Sequence, residues 1–200
     1  MRLQRALDLA IAGPVAVLSA PVVALLALLI RLESPGHPLY TQTRVGLDGE
    51  LFEIYKLRTM VQGAEFTGAG LAIQAGDDRI TRVGAFLRRY SLDELPNVWN
   101  VLRGEMSIVG PRPTLAVQVE QYTERQRGRL AVKPGITGWA QVHGRASLPW
   151  PERIELDVWY VENRSLRLDL RILARTVRMV VDGEGIYKGE RGGWIPPSEP

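Results

Sequence analysis

The sequence predicts an α+β fold, mainly helical, with an N-terminal membrane helix, one β-hairpin and amphipathic interfacial helices around a compact domain. Three observations predict it. Leu9 to Ile30 carries no charge, and its length of about 22 residues suffices for a helix to span ~30 Å of hydrocarbon. Leu39 to Val45 and Leu51 to Leu57 flank Asp48-Gly49, a pair that tolerates positive φ and so favours a hairpin turn. Near the end, Leu166, Leu170, Leu173, Val177 and Val180 recur at helical spacing beside a line of arginines.

Composition narrows the class without deciding it. A chain of 200 residues suits one domain plus a membrane element, and a hydrophobic fraction of 46% is ordinary and gives no argument for a polytopic membrane protein. Lys and Arg number 25 against 22 Asp and Glu, for a net charge of +3. The basic residues are mostly arginine, whose planar fork grips phosphate in a bidentate manner. The same balance fits an anionic membrane surface or nucleic acid. The absence of cysteine excludes disulfides and thiolate metal sites.

In chain order, the apolar segment comes first. It is longer than the core of a cleavable signal peptide and is followed by no small-x-small cleavage site. Pro21 sits inside it after Ser19 and Ala20, where it removes a backbone hydrogen bond and predicts a kink, with Ser19 placed to satisfy a freed carbonyl. Arg2 and Arg5 favour a cytoplasmic N-terminus. On the segment alone, a simple crossing and a bent helix that returns to the same leaflet both fit. Ser34 to Pro38 breaks the helical pattern, and the hairpin follows. Gly63 to Gly76 reads as a mobile loop whose Gly68-Ala69-Gly70 is too short for a phosphate loop. Helices are expected at roughly Thr81 to Tyr90, Leu92 to Leu102, Thr114 to Arg127, Glu152 to Glu162 and Leu168 to Val181. In the last, Arg164, Arg167, Arg171, Arg175 and Arg178 form a second stripe, which suits either a water-facing surface or anionic lipid headgroups. Beyond Gly183 the Gly- and Pro-rich end is expected to be loosely ordered.

The densest polar constellation is Arg88-Arg89-Tyr90-Ser91-Leu92-Asp93-Glu94-Leu95-Pro96. Ser91 and Glu94 have the spacing of a capping box, which puts the adjacent carboxylates near a helix N-terminus whose dipole favours an ionised Asp93. Read alone, the stretch is better satisfied by Ser91 and Glu94 capping a helix beside a solvated Asp93 than by a nucleophilic Asp93. Downstream, the apolar run within Asn100 to Pro113 ends in Arg112, fixed between two prolines and suited to an anionic ligand. Lys56 and Arg58 alternate along a strand and should share a face. His37 and His143 stand too far apart in context to suggest a metal site and read as ordinary polar residues.

These stretches resemble the bacterial sugar transferase family, the small monotopic phosphoglycosyl transferases. The resemblance rests on Ser91 to Pro96, Asn100 to Pro113 and Lys56-Leu57-Arg58-Thr59-Met60. It continues through Lys133 to Val142 with Gly144-Arg145, Asp157-Val158-Trp159-Tyr160, and Ser165 to Leu170. The motifs occur in order over nearly the whole chain. Departures are Ala20 between Ser19 and Pro21, Asn97 in place of Gln, Glu105 in place of Asp, and His143 in place of Asn.

The resemblance implies an enzyme that transfers a sugar-1-phosphate from a UDP-sugar to polyprenyl (undecaprenyl) phosphate, releasing UMP. Asp93 is then the nucleophile that carries a covalent phosphosugar, and Glu94 its partner in holding Mg2+. Arg88, Arg112 and Arg145 match phosphate- or nucleotide-binding arginines, and Lys56 and Arg58 match the hairpin motif. It further implies residues 1–33 as a re-entrant membrane helix, 34–183 as a cytoplasmic catalytic domain and 184–200 as a tail. The expected location is the cytoplasmic face of the bacterial inner membrane, against anionic headgroups and beside downstream glycosyltransferases. Re-entry follows because cytoplasmic UDP-sugar must reach the domain while Arg2 and Arg5 stay inside. The competing reading with the same dyad is a membrane-anchored nucleotide-sugar phosphohydrolase. Nucleic acid is not an expected partner, since the arginines are not interleaved with exposed aromatics.

Overall fold

The computed structural model describes residues 2–64, 76–144 and 147–182. Helix α1 (Arg2–Glu33) runs for 32 residues with Pro14 and Pro21 inside it, so the helix continues through the position where a break was expected. Proline there removes one backbone donor without ending the helix. At ~48 Å the helix lies along the rest of the molecule and is fastened to it at both ends. Near its start, the Arg5 guanidinium donates to the carbonyls of Val101 and Leu102, the latter at 2.9 Å, and buried Asp8 accepts from Ser107 Oγ and Ile108 N–H, both at 2.8 Å. At its end, Glu33 accepts from the N–H groups of Arg82 (2.8 Å) and Val83 (2.9 Å). A cation thus meets the C-terminal turn of one short helix and a carboxylate the N-terminus of another, each complementing the helix dipole. Between these ends Ala12, Ala16, Leu26 and Ile30 are buried, whereas Val17, Leu18, Leu25, Leu28 and Leu32 are exposed. By length and composition α1 can anchor the chain in a membrane.

Strands β1 (Leu39–Val45) and β2 (Leu51–Leu57) form the expected antiparallel hairpin, with Tyr40 opposite Lys56 and Arg44 opposite Phe52. Asp48 (φ 53°) and Gly49 (φ 89°) take up the left-handed conformations anticipated at the turn. Helix α2 (Arg82–Arg89) is capped by Thr81, whose hydroxyl accepts from Gly84 N–H at 2.9 Å. A side chain at Gly84 would stand 1.9 Å from the Thr59 carbonyl oxygen, so glycine is what lets α2 press against the end of the hairpin.

The expected single helix from Leu92 to Leu102 is two segments, a 3-10 turn (Leu92–Asn97) followed by α3 (Val98–Arg103). Pro96 lies past the first turn of a helix begun at Leu92 and lacks the N–H that would bond the Leu92 carbonyl, and the segment is a 3-10 turn instead. Ser91 is left-handed (φ 55°) with no side-chain cap, so the anticipated capping box does not form. Strands β3 (Ser107–Val109) and β4 (Gly135–Thr137) pair in parallel, Ser107 with Gly135 and Val109 with Thr137. They were not anticipated as strands. The segment read as one helix over Thr114 to Arg127 is α4 (Ala116–Val119) and α5 (Glu124–Arg127). Thr123 starts the second through a reciprocal cap with Gln126.

Helices α6 (Trp150–Asn163) and α7 (Leu166–Asp182) close the body. They are pinned by the buried Tyr160 hydroxyl donating to Asp169 Oδ1 at 2.8 Å. Helix α7 faces the core with Leu168, Ile172 and Met179, while Leu166, Leu170 and Val177 of the expected apolar stripe are exposed beside Arg167, Arg171 and Arg178. The principal core joins Ala12 and Ala16 of α1 to Val98, Val101, Met106 and Ile172. Helix α1 therefore packs against the body through one of its faces. The described part of the chain is mainly helical with small sheets, the α+β class expected.

Candidate active site

The 3-10 turn presents Asp93 and Glu94 to the inner face of the hairpin, and the two carboxylates meet opposite surroundings. Lys56 of β2 reaches Glu94 Oε1 at 2.7 Å, and Arg112 reaches the same oxygen at 2.7 Å from the proline-bounded segment after β3. The Glu94 side chain is only 15% exposed. Burial alone would raise its carboxyl, but Arg112 and then Lys56 outweigh it and hold Glu94 well below the usual carboxylate range. Glu94 in turn raises Arg112, and burial lowers the Lys56 ammonium.

Asp93 is clamped by nothing comparable. Among the described residues no donor hydrogen-bonds its carboxylate. Burial raises its carboxyl above the ordinary value, and neighbouring Glu94 adds to this, against the pull of Lys56, Arg88 and Arg112. The two carboxylates stand at the start of a 3-10 turn that leads into α3, rather than in the first turn of the α-helix expected. One carboxylate is ion-paired twice and held toward its charged form, while the other is buried and has no hydrogen-bond donor among the described residues. Two adjacent carboxylates in such unlike surroundings are able to take different chemical roles.

Arg112 is held from behind. Arg129, 3% exposed, donates to the Arg112 carbonyl at 2.8 Å, Thr114 Oγ1 at 3.1 Å and Tyr122 OH at 2.7 Å, and pairs with the Asp157 carboxylate. Arg88 projects from α2, donates to Thr59 Oγ1 at 2.9 Å, and lies near enough to pull on Asp93.

Arg44 was missed by sequence reasoning. It lines the same pocket as Lys56, Glu94 and Arg112, and burial with the nearby Arg112 lowers its guanidinium to about 10. The signal existed in the strand alternation, since Tyr40, Gln42 and Arg44 share a face and Tyr40 pairs with Lys56. Arg58 goes elsewhere. Strand β2 ends at Leu57, the alternation stops, and buried Arg58 donates to Ser34 O (2.9 Å), Ser34 Oγ (3.0 Å) and Pro35 O. It fastens the α1–β1 loop instead of joining Lys56. Arg145, the loop around Gly68 and the C-terminal tail lie outside the described residues.

Among the described residues no group of three or more His, Cys, Asp or Glu gathers. Lys56 and Arg112 share one oxygen of Glu94, which leaves its second oxygen and the Asp93 carboxylate as hard donors. That set is too small to enclose a cation. It suits magnesium, which keeps several waters and completes its shell with substrate phosphate. His37 turns to Leu39, and His143 to Trp139 and Arg175, as ordinary polar residues.

The family described as bacterial sugar transferase matches residues 1–183. The uncharacterized sugar transferase EpsL of Bacillus subtilis is 43% identical over 188 residues, which cover 94% of this chain and 92% of that protein. The UDP-glucose:undecaprenyl-phosphate glucose-1-phosphate transferase of Caulobacter vibrioides is 44% identical over 92% of this chain and 72% of its own length. The UDP-N-acetylgalactosamine-undecaprenyl-phosphate N-acetylgalactosaminephosphotransferase of Aeromonas hydrophila is 42% identical over 92% of this chain, which spans 44% of that longer protein.

Proposed function

Since the chain belongs to the bacterial sugar transferase family, and is a transferase on that ground, we propose that it moves a sugar-1-phosphate from a UDP-sugar to undecaprenyl phosphate through a covalent intermediate on Asp93. The relatives named above supply the substrate classes. The observation that carries the mechanism is the unequal pair, Glu94 locked by Lys56 and Arg112 and Asp93 left buried without a hydrogen-bond donor.

An Asp93 carboxylate oxygen attacks the β-phosphorus of the UDP-sugar, and the bond from that phosphorus to the bridging oxygen breaks. UMP departs with the electron pair. An oxygen of undecaprenyl phosphate then attacks the same phosphorus, the Asp93 carboxylate leaves, and undecaprenyl-diphosphate-sugar is formed. Lys56, Arg88 and Arg112 neutralise the phosphoryl oxygens through both displacements, which is most of what phosphoryl transfer asks of a protein. Glu94 keeps Lys56 and Arg112 converged between substrates. Magnesium, held by Asp93 and the second oxygen of Glu94, would add charge neutralisation on the diphosphate. Arg145 is assigned to the nucleotide side by the family resemblance.

The acceptor is a lipid, and α1 suits it. Its exposed apolar face needs hydrocarbon, yet both its ends are hydrogen-bonded to one body, which supports a helix that enters and leaves on one side. We accordingly assign residues 1–33 to a re-entrant, monotopic anchor, 34–183 to the catalytic domain and 184–200 to a tail. The exposed arginines of α7 would meet anionic headgroups. The assigned place is the cytoplasmic face of the inner membrane, where UDP-sugars are found. The product opens glycoconjugate assembly, for exopolysaccharide, O-antigen or glycoprotein glycan, and passes to downstream glycosyltransferases. A nucleotide-sugar phosphohydrolase with the same dyad is not favoured, because the named relatives are transferases. The test is UMP release from a panel of UDP-sugars by purified protein with magnesium and undecaprenyl phosphate. Lipid-diphosphate-sugar should accumulate in step with UMP, and free sugar phosphate in its place would contradict the reading.

A further inference from the structure

Two buried polar atoms in the pocket beside Glu94 have no hydrogen-bond partner, Nε of Arg44 and Oδ1 of Asn97. Asn97 is 3% exposed and closes the turn that carries Asp93 and Glu94. It stands at the N-cap of α3, where an asparagine side chain ordinarily accepts from a helix N–H, but it makes no such bond. Arg44 is in a similar position. Among the described residues its side chain has one hydrogen bond, to Gln42 Oε1, and no ion pair, and the nearby Arg112 repels it as a like charge. Two residues that line one pocket thus carry a buried donor and a buried acceptor without a partner, and unmade bonds of this kind are costly.

The pocket itself selects the occupant's chemistry. Lys56 and Arg112 are each ion-paired with Glu94, whereas Arg44, the third lining cation, has no ion pair among the described residues. Among the lining residues Asn97 is the only uncharged polar side chain, and Ile54, Met106 and Ile136 supply apolar wall. A guanidinium donor takes a phosphoryl oxygen, and a neutral carbonyl acceptor takes a hydroxyl. Both groups occur together on a sugar-1-phosphate.

We propose that Arg44 and Asn97 read the transferred group itself, Arg44 donating to an oxygen of the sugar-bearing phosphoryl and Asn97 Oδ1 accepting from a hydroxyl of its sugar ring. Asn97 is then a determinant of which sugar is moved. This rests on the transfer reaction proposed above. The bland alternative is an ordered water on Asn97 with no part in recognition.

The experiment measures UMP release by the full-length protein across a panel of UDP-sugars and single-deoxy analogues of the best one, with undecaprenyl phosphate and magnesium. Asn97→Leu removes the acceptor at similar volume, and Asn97→Ser retains one should the leucine variant fail to fold. The expected result is a fall of about tenfold in kcat/KM for the best donor with Asn97→Leu, the KM for undecaprenyl phosphate unchanged. One deoxy analogue should be used equally well by wild type and variant, because its missing hydroxyl is the partner of Asn97. Arg44→Gln should lower kcat/KM for every UDP-sugar alike, by roughly a hundredfold. A uniform loss with Asn97→Leu across all donors, with a lowered Tm and no analogue that equalises the two proteins, would show an ordered water and overturn the assignment. Unchanged kinetics in both variants would overturn it as well. Wild-type protein that releases UMP from no UDP-sugar would instead bring down the transfer reaction, and this inference with it.

Discussion

Replacing Arg129 with methionine should cost more stability than any surface substitution and should also loosen the active site. Arg129 is 3% exposed and Asp157 2%. The change removes donations to Thr114, Tyr122 and the Arg112 carbonyl, and it leaves Asp157 as an unpaired buried carboxylate whose other oxygen, Oδ1, already lacks a partner. Breaking one side of a buried ion pair costs about 3–5 kcal/mol. At this chain length each kcal/mol lowers Tm by about 2–4 °C, so the expected drop is roughly 6–20 °C. The double variant Arg129→Met/Asp157→Leu leaves no buried charge unpaired and should regain most of that loss. It should not regain activity, because the Arg112 carbonyl is still unsupported. Thermal unfolding in detergent by near-ultraviolet circular dichroism, with UMP release on the same samples, measures both effects. A drop under about 2 °C for the single variant would show that the pair is solvated. A double variant with wild-type turnover would show that Arg129 does not position Arg112.

Three further outcomes are expected. Asp93→Asn should abolish transfer, yet raise Tm in chelator-containing buffer at pH 8. Burial raises the Asp93 carboxyl, so the stability its proton confers is full at low pH and is lost as pH climbs through the raised value. The amide escapes that loss, and the gain should shrink toward pH 4; a variant less stable than wild type at pH 8 would contradict this. Gly84→Ala should destabilise by about 1–3 kcal/mol despite alanine's better helix propensity, because its Cβ would meet the Thr59 carbonyl oxygen at 1.9 Å. Equal or higher stability on denaturant unfolding would remove the case for that close contact. Single cysteines at exposed Leu3 and His37 should both resist a membrane-impermeant thiol reagent in intact cells and react once the cells are opened. Labelling at His37 alone in intact cells would show an ordinary crossing.

What was legible in the sequence was what neighbouring residues decide among themselves. Asp48-Gly49 announced the hairpin because positive φ is a local property, and the turn is where it was expected. The last helix was legible from its spacing, though its core face was not. Leu168, Ile172 and Met179 turn inward because α6 and the parallel strands lie there, and one helix's periodicity cannot choose between two apolar lines. Strands β3 and β4 were invisible for the same reason, since three residues carry no period and their pairing spans separate segments. At the site, Asp93, Glu94 and Arg112 stood out by their motifs. Arg44 and Arg129 did not, because their roles depend on partners from other elements. Arg58 shows the converse, a residue that motif and alternation favoured but whose two terminal nitrogens are bonded to the α1–β1 loop.

The central claim, that Asp93 forms a covalent bond to the transferred phosphoryl group, is tested most directly by intact-protein mass spectrometry. Purified enzyme would be incubated with a productive UDP-sugar and magnesium but without undecaprenyl phosphate. The predicted result is UMP release of about one equivalent and a mass increase equal to the sugar phosphate, mapped to the peptide containing Asp93 and absent from Asp93→Asn. Adding undecaprenyl phosphate should discharge the adduct into lipid product. UMP release that requires the lipid from the outset, with no adduct at any time, would mean direct displacement and would contradict the account.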